Sequence, residues 1–275
     1  MSAIVVPTLP RQAAAPSVFA YPAPQEKFSD ARYEVRFVQN AEELDAVLKL
    51  RFNVFNLELG EGLETSYLTQ RDQDEFDRGC HHLIVVDRKS GEVIGTYRMQ
   101  TDDMAAAANG FYSAGEFDLT RLPDEVAKNS VEVGRACIAA AHRNGRVLFL
   151  LWRGLAVYMM LTRKRYLFGC CSLTSQNPAE GRQVMDYLRA NGHVHSELQI
   201  LPQAHCLCYQ DDFMAPENLR VKIPRLFRIY LEYGAKVCGP PAIDRHFKTI
   251  DYLVMLDIAT LDNRTFRMFF NEKHF

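Results

Sequence analysis

The chain has 275 residues, enough for one large domain with a sizeable core. Hydrophobic residues make up 48% and charged residues 24%, close to the globular average, so the composition excludes a disordered chain, a collagen and a coiled coil. The formal net charge of −2 argues against a nucleic-acid-binding protein, which is usually clearly basic.

The cysteines and the hydropathy pattern bear on the compartment. Seven cysteines, including the adjacent Cys170 and Cys171, follow no disulfide spacing, which favours reduced thiols in a cytosolic protein. No stretch reaches the roughly twenty apolar residues of a membrane-spanning helix. We therefore expect a soluble intracellular protein.

The first predicted elements follow a segment rich in Pro and Ala, residues 1–30, which we interpret as a flexible tail. Residues 33–38 alternate between apolar and polar side chains, which predicts a half-buried strand. Asn40 is a suitable N-cap for a helix that runs to about Leu59.

The later elements alternate between strands and helices. Strands are predicted at 82–86 and 93–98, joined as a hairpin, and at 131–138. Residues 147–161 are apolar almost all round, which predicts a buried helix. Next come strand 166–173, helix 179–190, strand 197–201, helix 226–237 and strand 252–258. This order predicts an α/β fold with a mixed central sheet and helices on both faces, formed by residues 31–275 as one domain.

Six charged residues stand within or beside apolar patterns, where a charge is costly unless it is neutralised. They are Arg51, Asp74, Asp77, Arg98, Glu132 and Arg135. Three arginines and three carboxylates can neutralise one another, so the simpler interpretation is a structural ion-pair network. The other is a catalytic site, and the residues alone leave both open.

The motifs around these charges resemble those of known enzymes. The order and spacing of Arg51-x-x-Val54-Phe55, Asp74-x-x-Asp77 and Glu132-x-x-Arg135 resemble the acyl-homoserine-lactone synthases, GNAT-like acyltransferases that take acyl chains from acyl carrier protein. Residues 33–258 more closely resemble the ornithine-acyl carrier protein N-acyltransferases, which make the lyso form of ornithine lipids. The motifs are Phe76-Asp77-x-x-Cys80-x-His82-Leu83, Gly95-Thr96-Tyr97-Arg98, Phe111-Tyr112-Ser113, Glu116-Phe117-Asp118, Gly134-Arg135-Ala136-Cys137, Leu151-Trp152-x-Gly154, Phe168-Gly169-Cys170-x-Ser172 and Cys238-Gly239-Pro240-Pro241-Ala242-Ile243-Asp244.

This resemblance implies a GNAT-like fold and an N-acyltransferase. The enzyme would move a long, 3-hydroxylated acyl group from acyl carrier protein to the α-amine of ornithine, the first step of ornithine lipid synthesis. The donor would be the acyl-phosphopantetheine of the carrier protein, with no tightly bound cofactor and no metal. We expect a cytoplasmic protein that contacts the inner membrane peripherally, through Lys222, Arg225 and Arg228.

Acyl transfer to an amine requires a base. A free α-amino group has a pKa of about 7.7–8.0, so much of it is protonated at pH 7 and must lose a proton to attack. Glu132 is the candidate base, and Arg135 would orient it or counter its charge, which should lower the Glu132 pKa. Arg51 completes the predicted catalytic set. The resemblance also implies a bulge near Gly134, where backbone N–H groups would meet the oxyanion.

The donor side is predicted from charge. Between Glu132 and Glu180 the chain has seven basic residues and no acidic one, a pattern that would steer an acidic carrier protein. The loop His142-Arg143-Asn144-Gly145 has one glycine where a coenzyme A loop needs more, which argues against free coenzyme A. The predicted acyl- and carrier-binding residues are Arg143, Arg146, Trp152, Arg153 and Phe168. A plain core role for the apolar ones stays open.

The acceptor side is predicted from the opposite charge. Residues 58–77 contain seven carboxylates and one arginine, which would attract a cationic amino acid, unless they form only a solvated loop. Asp74 and Asp77, with Arg98, are the specific candidates for acceptor binding.

Two other functions remain open at this stage. One is an N-acyl amino acid synthase with a different amino acid acceptor, since that family shares much of the pattern. The other is a non-catalytic, haemolysin-like protein that interacts with membranes. Cys80-His81-His82 and His205-Cys206-x-Cys208 fit no paired zinc spacing, and we interpret them as core residues.

Overall fold

The computed structural model describes residues 19–210, 212–215 and 222–270. The strands in this part are β1 (Lys27–Ser29), β2 (Tyr33–Phe37), β3 (His81–Asp87), β4 (Val93–Thr101), β5 (Ser130–Ile138), β6 (Tyr166–Leu173), β7 (Lys236–Val237), β8 (Ala242–Asp244) and β9 (Thr249–Asp257). The α-helices are α1 (Ala41–Phe52), α2 (Ser66–Thr69), α3 (Asp102–Ala106), α4 (Asp124–Lys128), α5 (Gly145–Thr162), α6 (Pro178–Ala190), α7 (Arg225–Glu232) and α8 (Asn263–Phe270).

The nine strands form one mixed sheet in the order β1-β2-β3-β4-β5-β6-β9-β7, with β8 also paired to β9. Neighbouring strands run antiparallel except β5 and β6, which are parallel. A parallel pair needs a crossover connection, and α5 provides it. The mixed sheet that the element order predicts is confirmed.

Alternate residues of β3 show how both faces of the sheet are covered, because successive side chains of a strand point to opposite sides. Leu83 and Val85 belong to the same apolar cluster as Val147 and Leu151 of α5. Ile84 packs instead in a cluster with residues of α1, on the other face. Helices therefore lie on both faces, as the sequence predicts.

Helix α5 is the core helix that the sequence predicts at 147–161. Asn144 caps it by accepting a hydrogen bond from the Val147 N–H. By length and composition it is long and apolar enough to cross a membrane, yet 56% of it is buried inside the fold. It approaches β3 so closely that a Cβ on Gly154 would lie 2.5 Å from the Leu83 side chain. We therefore interpret α5 as the central helix of the globular core.

The boundary of the predicted N-terminal tail is wrong. Phe19 is buried, and Lys27–Ser29 pairs with β2, so the fold begins well before residue 31. A strand of three residues is too short to show a periodicity in the sequence. Residues 1–18 of the predicted tail lie outside the described residues.

Three further predicted elements differ from the structure. The α-helix from Ala41 ends at Phe52 and continues as a π-helix, Asn53–Leu59. The helix predicted at 226–237 ends at Glu232, because Gly234 adopts a left-handed conformation that ends helices. Residues 197–201 form no ladder, although the Ile200 N–H donates to the Cys238 carbonyl.

Candidate active site

Strands β5 and β6 separate in the middle of the sheet and leave room for a site. Their ladder covers only three pairs, ending at Glu132 opposite Phe168, although both strands continue. At the last close approach, a Cβ on Gly169 would lie 2.1 Å from the Val133 carbonyl oxygen. Beyond it lies a cavity of about 300 Å³ lined by both strands. That volume is at the lower end of those typical of small-molecule sites.

A β-bulge shapes the cavity side of β5. Arg98 of β4 pairs with Gly134 and Thr96 pairs with Cys137, so β5 has an additional residue there. Arg135 has a φ of +50°, which is uncommon for a residue other than glycine. The bulge that the resemblance implies near Gly134 is thus confirmed.

The bulge also decides which charged side chains share a face. Residues three apart on a regular strand point to opposite sides of the sheet. Across the bulge the alternation is reset, so Glu132 and Arg135 line the same side of the cavity, whereas Val133 lines it from the opposite face of the sheet, in the core shared with α5.

Arg51 of α1 is completely buried and lies at the centre of an ion-pair cluster. Its Nε is 2.7 Å from Asp72 Oδ2, and its Nη1 is 2.6 Å from Asp77 Oδ1. Both aspartates are also buried, so the guanidinium bridges two carboxylates away from water. Burial by itself raises the pKa of Asp77, but Arg51 and Arg98 outweigh it and hold that pKa well below its ordinary value.

Two further arginines complete the cluster. Arg98 Nη1 lies 2.6 Å from Asp74 Oδ1 and 3.0 Å from Asp77 Oδ1. Arg135 lies 3.1 Å from Asp74 Oδ2 and 3.3 Å from Asp72 Oδ2. The ion-pair cluster therefore consists of Arg51, Arg98, Arg135, Asp72, Asp74 and Asp77, and its formal charges cancel.

The cluster brings together five of the six charged residues selected from the sequence, with Asp72 as its third carboxylate in place of Glu132. Asp72 is one of the seven carboxylates of the acidic stretch 58–77, but nothing in the spacing distinguishes it. Because Asp74 and Asp77 are already paired with arginines, their part in acceptor binding stays a prediction.

Glu132 is held separately from the arginines. Its Oε2 accepts a hydrogen bond from the Tyr112 N–H at 2.7 Å, and its Oε1 accepts one from the Ser113 N–H at 2.8 Å. Burial raises the Glu132 pKa even though these bonds and Arg98 lower it. The prediction that Arg135 lowers the Glu132 pKa is therefore wrong, because Arg135 pairs with Asp72 and Asp74 instead.

Aromatic rings cover the guanidinium groups that face the cavity. Arg135 lies 4.8 Å from the Tyr112 ring centroid and 4.2 Å from that of Phe247, and Arg98 lies 5.1 Å from Tyr112. Stacking of this kind stabilises a desolvated cation. Tyr112 belongs to one of the motifs that carry the resemblance, whereas no signal in the sequence indicates Phe247.

The cavity has a polar and an apolar side, because it opens at the separation of two strands and reaches both faces of the sheet. On the face toward α1 it is lined by Arg98, Glu132 and Arg135. On the face toward α5 it is lined by members of the main apolar core, namely Tyr97, Met99, Val133, Leu167, Phe227, Tyr230 and Val254. A polar acceptor and an apolar chain can therefore approach the strand separation from opposite sides.

A second group of carboxylates lies at the polar side, and the sequence does not predict it. Oxygen atoms of Glu116, Asp244 and Asp251 lie within 4.8 Å of one another. All three residues line the cavity. We refer to them as the acidic cluster; they come from distant parts of the chain, so no local spacing connects them.

The predicted donor-side residues do not form one surface. Phe168 lines the main cavity, whereas Trp152 packs in the core and lines a separate apolar cavity of about 20 Å³. Arg143 pairs with Glu58 and Arg146 with Asp30, and Arg153 lies 4.7 Å from the centroid of the Phe28 ring. Acidic residues from elsewhere in the chain thus neutralise part of the charge that the segment 132–180 carries by itself.

Comparisons with known proteins show what this chain is similar to. A family described as "Acetyltransferase (GNAT) domain" matches residues 50–153. The chain is 31% identical to L-ornithine N(alpha)-acyltransferase of Agrobacterium fabrum, over 84% of this chain and 83% of the relative. It is 32% identical to the protein of the same name from Brucella abortus, over 84% of this chain and 86% of that relative. The solved structure of FeeM, an N-acyl amino acid synthase from uncultured soil microbes, is 13% identical over 83% of this chain and 92% of that one, with a TM-score of 0.48.

The resemblance inferred from the motifs is confirmed by these relatives, and so is the GNAT-like fold class. The chain belongs to the L-ornithine N(alpha)-acyltransferase family and is an N-acyltransferase.

Proposed function

We propose that the protein transfers a long, 3-hydroxylated acyl group from acyl carrier protein to the α-amine of ornithine, as the first step of ornithine lipid synthesis. The observation that carries this proposal is the two-sided cavity at the separation of β5 and β6, with Glu132 on its polar side. The relatives at 31% and 32% identity, each named L-ornithine N(alpha)-acyltransferase, support ornithine as the acceptor.

The apolar side of the cavity suits the acyl chain. Its lining by Met99, Leu167 and Val254 would remove methylene groups from water, at about 0.8 kcal/mol for each one buried. The thioester would then lie at the separation of the two strands. Backbone N–H groups at the β5 bulge, near Gly134, would stabilise the negative charge on the carbonyl oxygen.

Acyl carrier protein is the proposed donor because the start of α5 offers little to a pyrophosphate. In coenzyme A enzymes of this fold, a glycine-rich loop and a helix N-terminus bind that group. Here the N–H of Val147 donates to the Asn144 side chain, and the loop contains one glycine, Gly145. The single phosphodiester of a phosphopantetheine arm needs fewer donors.

Glu132 would act as the base. The α-amine nitrogen attacks the thioester carbonyl carbon, and Glu132 removes a proton from it directly or through one water molecule. The C–N bond forms, the C–S bond breaks, and the proton passes to the departing thiolate. Burial strengthens Glu132 for this role because it raises its pKa, and each oxygen keeps a lone pair beside the bond that it accepts from Tyr112 or Ser113.

Peripheral membrane contact would suit an amphipathic product. Lys222, shortly before α7, is exposed, as are Arg225 and Arg228 on α7, while Leu226 and Phe227 of this helix line the cavity. A basic surface beside the apolar side would bring the exit of an acylated product close to anionic lipid headgroups.

The test is acyl transfer by the purified chain. Wild-type protein, 3-hydroxyacyl-loaded acyl carrier protein and ornithine should yield N-acylornithine, detected by mass spectrometry. Glu132→Gln should lower kcat by roughly 10²–10⁴-fold, the usual contribution of a general base. The glutamine NH₂ would face one backbone N–H, at a stability cost of about 1–3 kcal/mol, which most folded domains tolerate.

Matched controls separate the alternatives. Glu125→Gln, on the exposed surface of α4, should leave kcat unchanged. Acylation of a different amino acid in place of ornithine would identify an N-acyl amino acid synthase. If the enzyme used acyl coenzyme A as efficiently as acyl carrier protein, the proposed donor would be wrong. Lysis of liposomes without any acyl transfer would favour the haemolysin-like function. A Glu132→Gln variant that folds and turns over normally would exclude Glu132 as the base.

A further inference from the structure

The acidic cluster is assembled by the sheet and one turn beside it. Asp251 lies on β9, opposite Ala242 of β8, and Asp244 ends β8. Glu116 follows the turn Tyr112–Gly115, the same turn whose N–H groups bind Glu132. The cluster is therefore connected to the base by a short, hydrogen-bonded segment.

Two of the three carboxylates carry oxygen atoms without a hydrogen-bond donor. Glu116 is 6% exposed and its Oε2 has no partner, and Asp251 is 3% exposed and its Oδ1 has none. Within residues 19–210, 212–215 and 222–270, no lysine or arginine forms an ion pair with any member of the cluster. Buried carboxylates without a counter-ion are costly, so this arrangement favours a cation that comes from outside the chain.

The protonation of the cluster agrees with an unfilled cation site. Burial, and then the carboxylates of Asp251 and Asp244, raise the pKa of Glu116 well above its ordinary value. Burial likewise raises the pKa of Asp251, although its side-chain hydrogen bonds with Ser172, Glu116 and Thr249 lower it. Arg135 is the cation that faces Glu116 at longer range, and it lowers this pKa without offsetting burial. A bound cation would favour the ionised carboxylates, so its binding should release protons.

The cluster and the base lie at two ends of one strand face. Glu132 is beside Phe168 of β6, and Asp251 is beside Ser172. Four residues along a strand span about 13 Å, and the side chains extend into the space between. Cys170 lies midway on the same face. Burial is the main cause of its raised pKa, and the carboxylates of Glu116, Asp251 and Glu132 raise that pKa further.

We propose that Glu116, Asp244 and Asp251 bind the side-chain ammonium group of the acceptor amino acid and select a cationic acceptor. This inference rests on the proposed function and adds the residues that determine its specificity. The α-amine would then face Glu132, while the second amine, at the other end of a short alkyl chain, fills the acidic cluster.

The experiment compares ornithine with norvaline, which has the same carbon chain without the terminal amine. The wild-type kcat/KM should favour ornithine by roughly 10²–10⁴-fold, because norvaline would leave buried carboxylates unpaired. Glu116→Gln and Asp251→Asn should raise the KM for ornithine and reduce the preference by roughly 30-fold or more. The kcat for norvaline should change little, because the base and the strand separation are untouched.

Stability provides a readout that a purely structural role would not give. Near neutral pH both variants should unfold at the same temperature as wild type or higher, because each removes a buried acidic group whose ionised form has no counter-ion. The amide oxygen of Asp251→Asn can still accept the Thr249 hydroxyl. Glu125→Gln, on the exposed surface of α4, is the matched control and should alter neither the preference nor the unfolding temperature.

Each contrary outcome has a distinct meaning. If wild type acylates neither ornithine nor another amino acid, the proposed function itself fails. If it acylates ornithine and norvaline equally, or if the variants keep the wild-type preference, only the acidic cluster loses its role. If EDTA removes activity and Ca²⁺ or Mg²⁺ restores it, the cluster is a metal site and the inference is overturned.

Discussion

Replacing Arg51 with methionine should destabilise the protein strongly. Arg51 is 0% exposed and bridges Asp72 and Asp77 at 2.7 and 2.6 Å. Its removal leaves the three aspartates of the cluster, two of them buried, with two arginines, so one negative charge has no counter-charge. Breaking a buried pair in this way costs about 3–5 kcal/mol. That is a large part of the roughly 5–15 kcal/mol by which domains are stable.

Urea denaturation gives a direct measurement. With an m-value of about 3 kcal/mol/M, the midpoint should fall by roughly 1–2 M. Lys49→Met is the matched control on the same helix, because Lys49 is 53% exposed and its ion pair with Asp45 lies at the surface. Such pairs contribute about 0.2–1 kcal/mol. If Arg51→Met shifted the midpoint no more than Lys49→Met does, the structural role of the ion-pair cluster would be refuted.

Two further predictions concern pH and the strand separation. Because Asp77 has a lowered pKa, its contribution to stability is present above the unfolded value of 3.8 and is lost as the pH falls below it. Glu116 and Glu132, with raised pKa values, act oppositely, because their contribution to stability grows as the pH falls toward their ordinary pKa of 4.5. The free energy of unfolding should therefore rise as the pH falls toward that value and decline at lower pH, and the rise should be smaller in Glu116→Gln. Gly169→Ala should cost about 1–3 kcal/mol in thermal or urea unfolding because its Cβ would meet the Val133 carbonyl. Gly134→Ala, with nothing within 4 Å, should cost clearly less, and equal costs would contradict the close approach.

The sequence determined the secondary structure wherever a periodicity was long enough to read. Strand β5 and helix α5 have long apolar patterns, and the structure reproduces both to within two residues. Strands of two or three residues, such as Lys27–Ser29 and Ala242–Asp244, have no such period and depend on pairing with a neighbouring strand. The same limit explains why the start of the fold was placed too late.

The sequence also selected five members of the ion-pair cluster, because charges inside apolar patterns must be neutralised somewhere. Only the tertiary structure decided the pairing. A bulge at Arg135 reset the alternation of β5, and the turn at Tyr112 bound Glu132 through backbone N–H groups. Backbone donors have no signature in the sequence, so the raised Glu132 pKa was not predictable.

The acidic cluster shows the same division most clearly. Glu116, Asp244 and Asp251 meet only because β8 pairs with β9 and the turn before Glu116 packs beside them. Local spacing carries information about one helix or strand face, and these residues lie on different elements. The sequence by itself therefore determined the family, the order of elements and the need for charge neutralisation. The tertiary structure decided which carboxylates were neutralised and which remain without a partner, because burial and long-range contacts set the free energy of each charge.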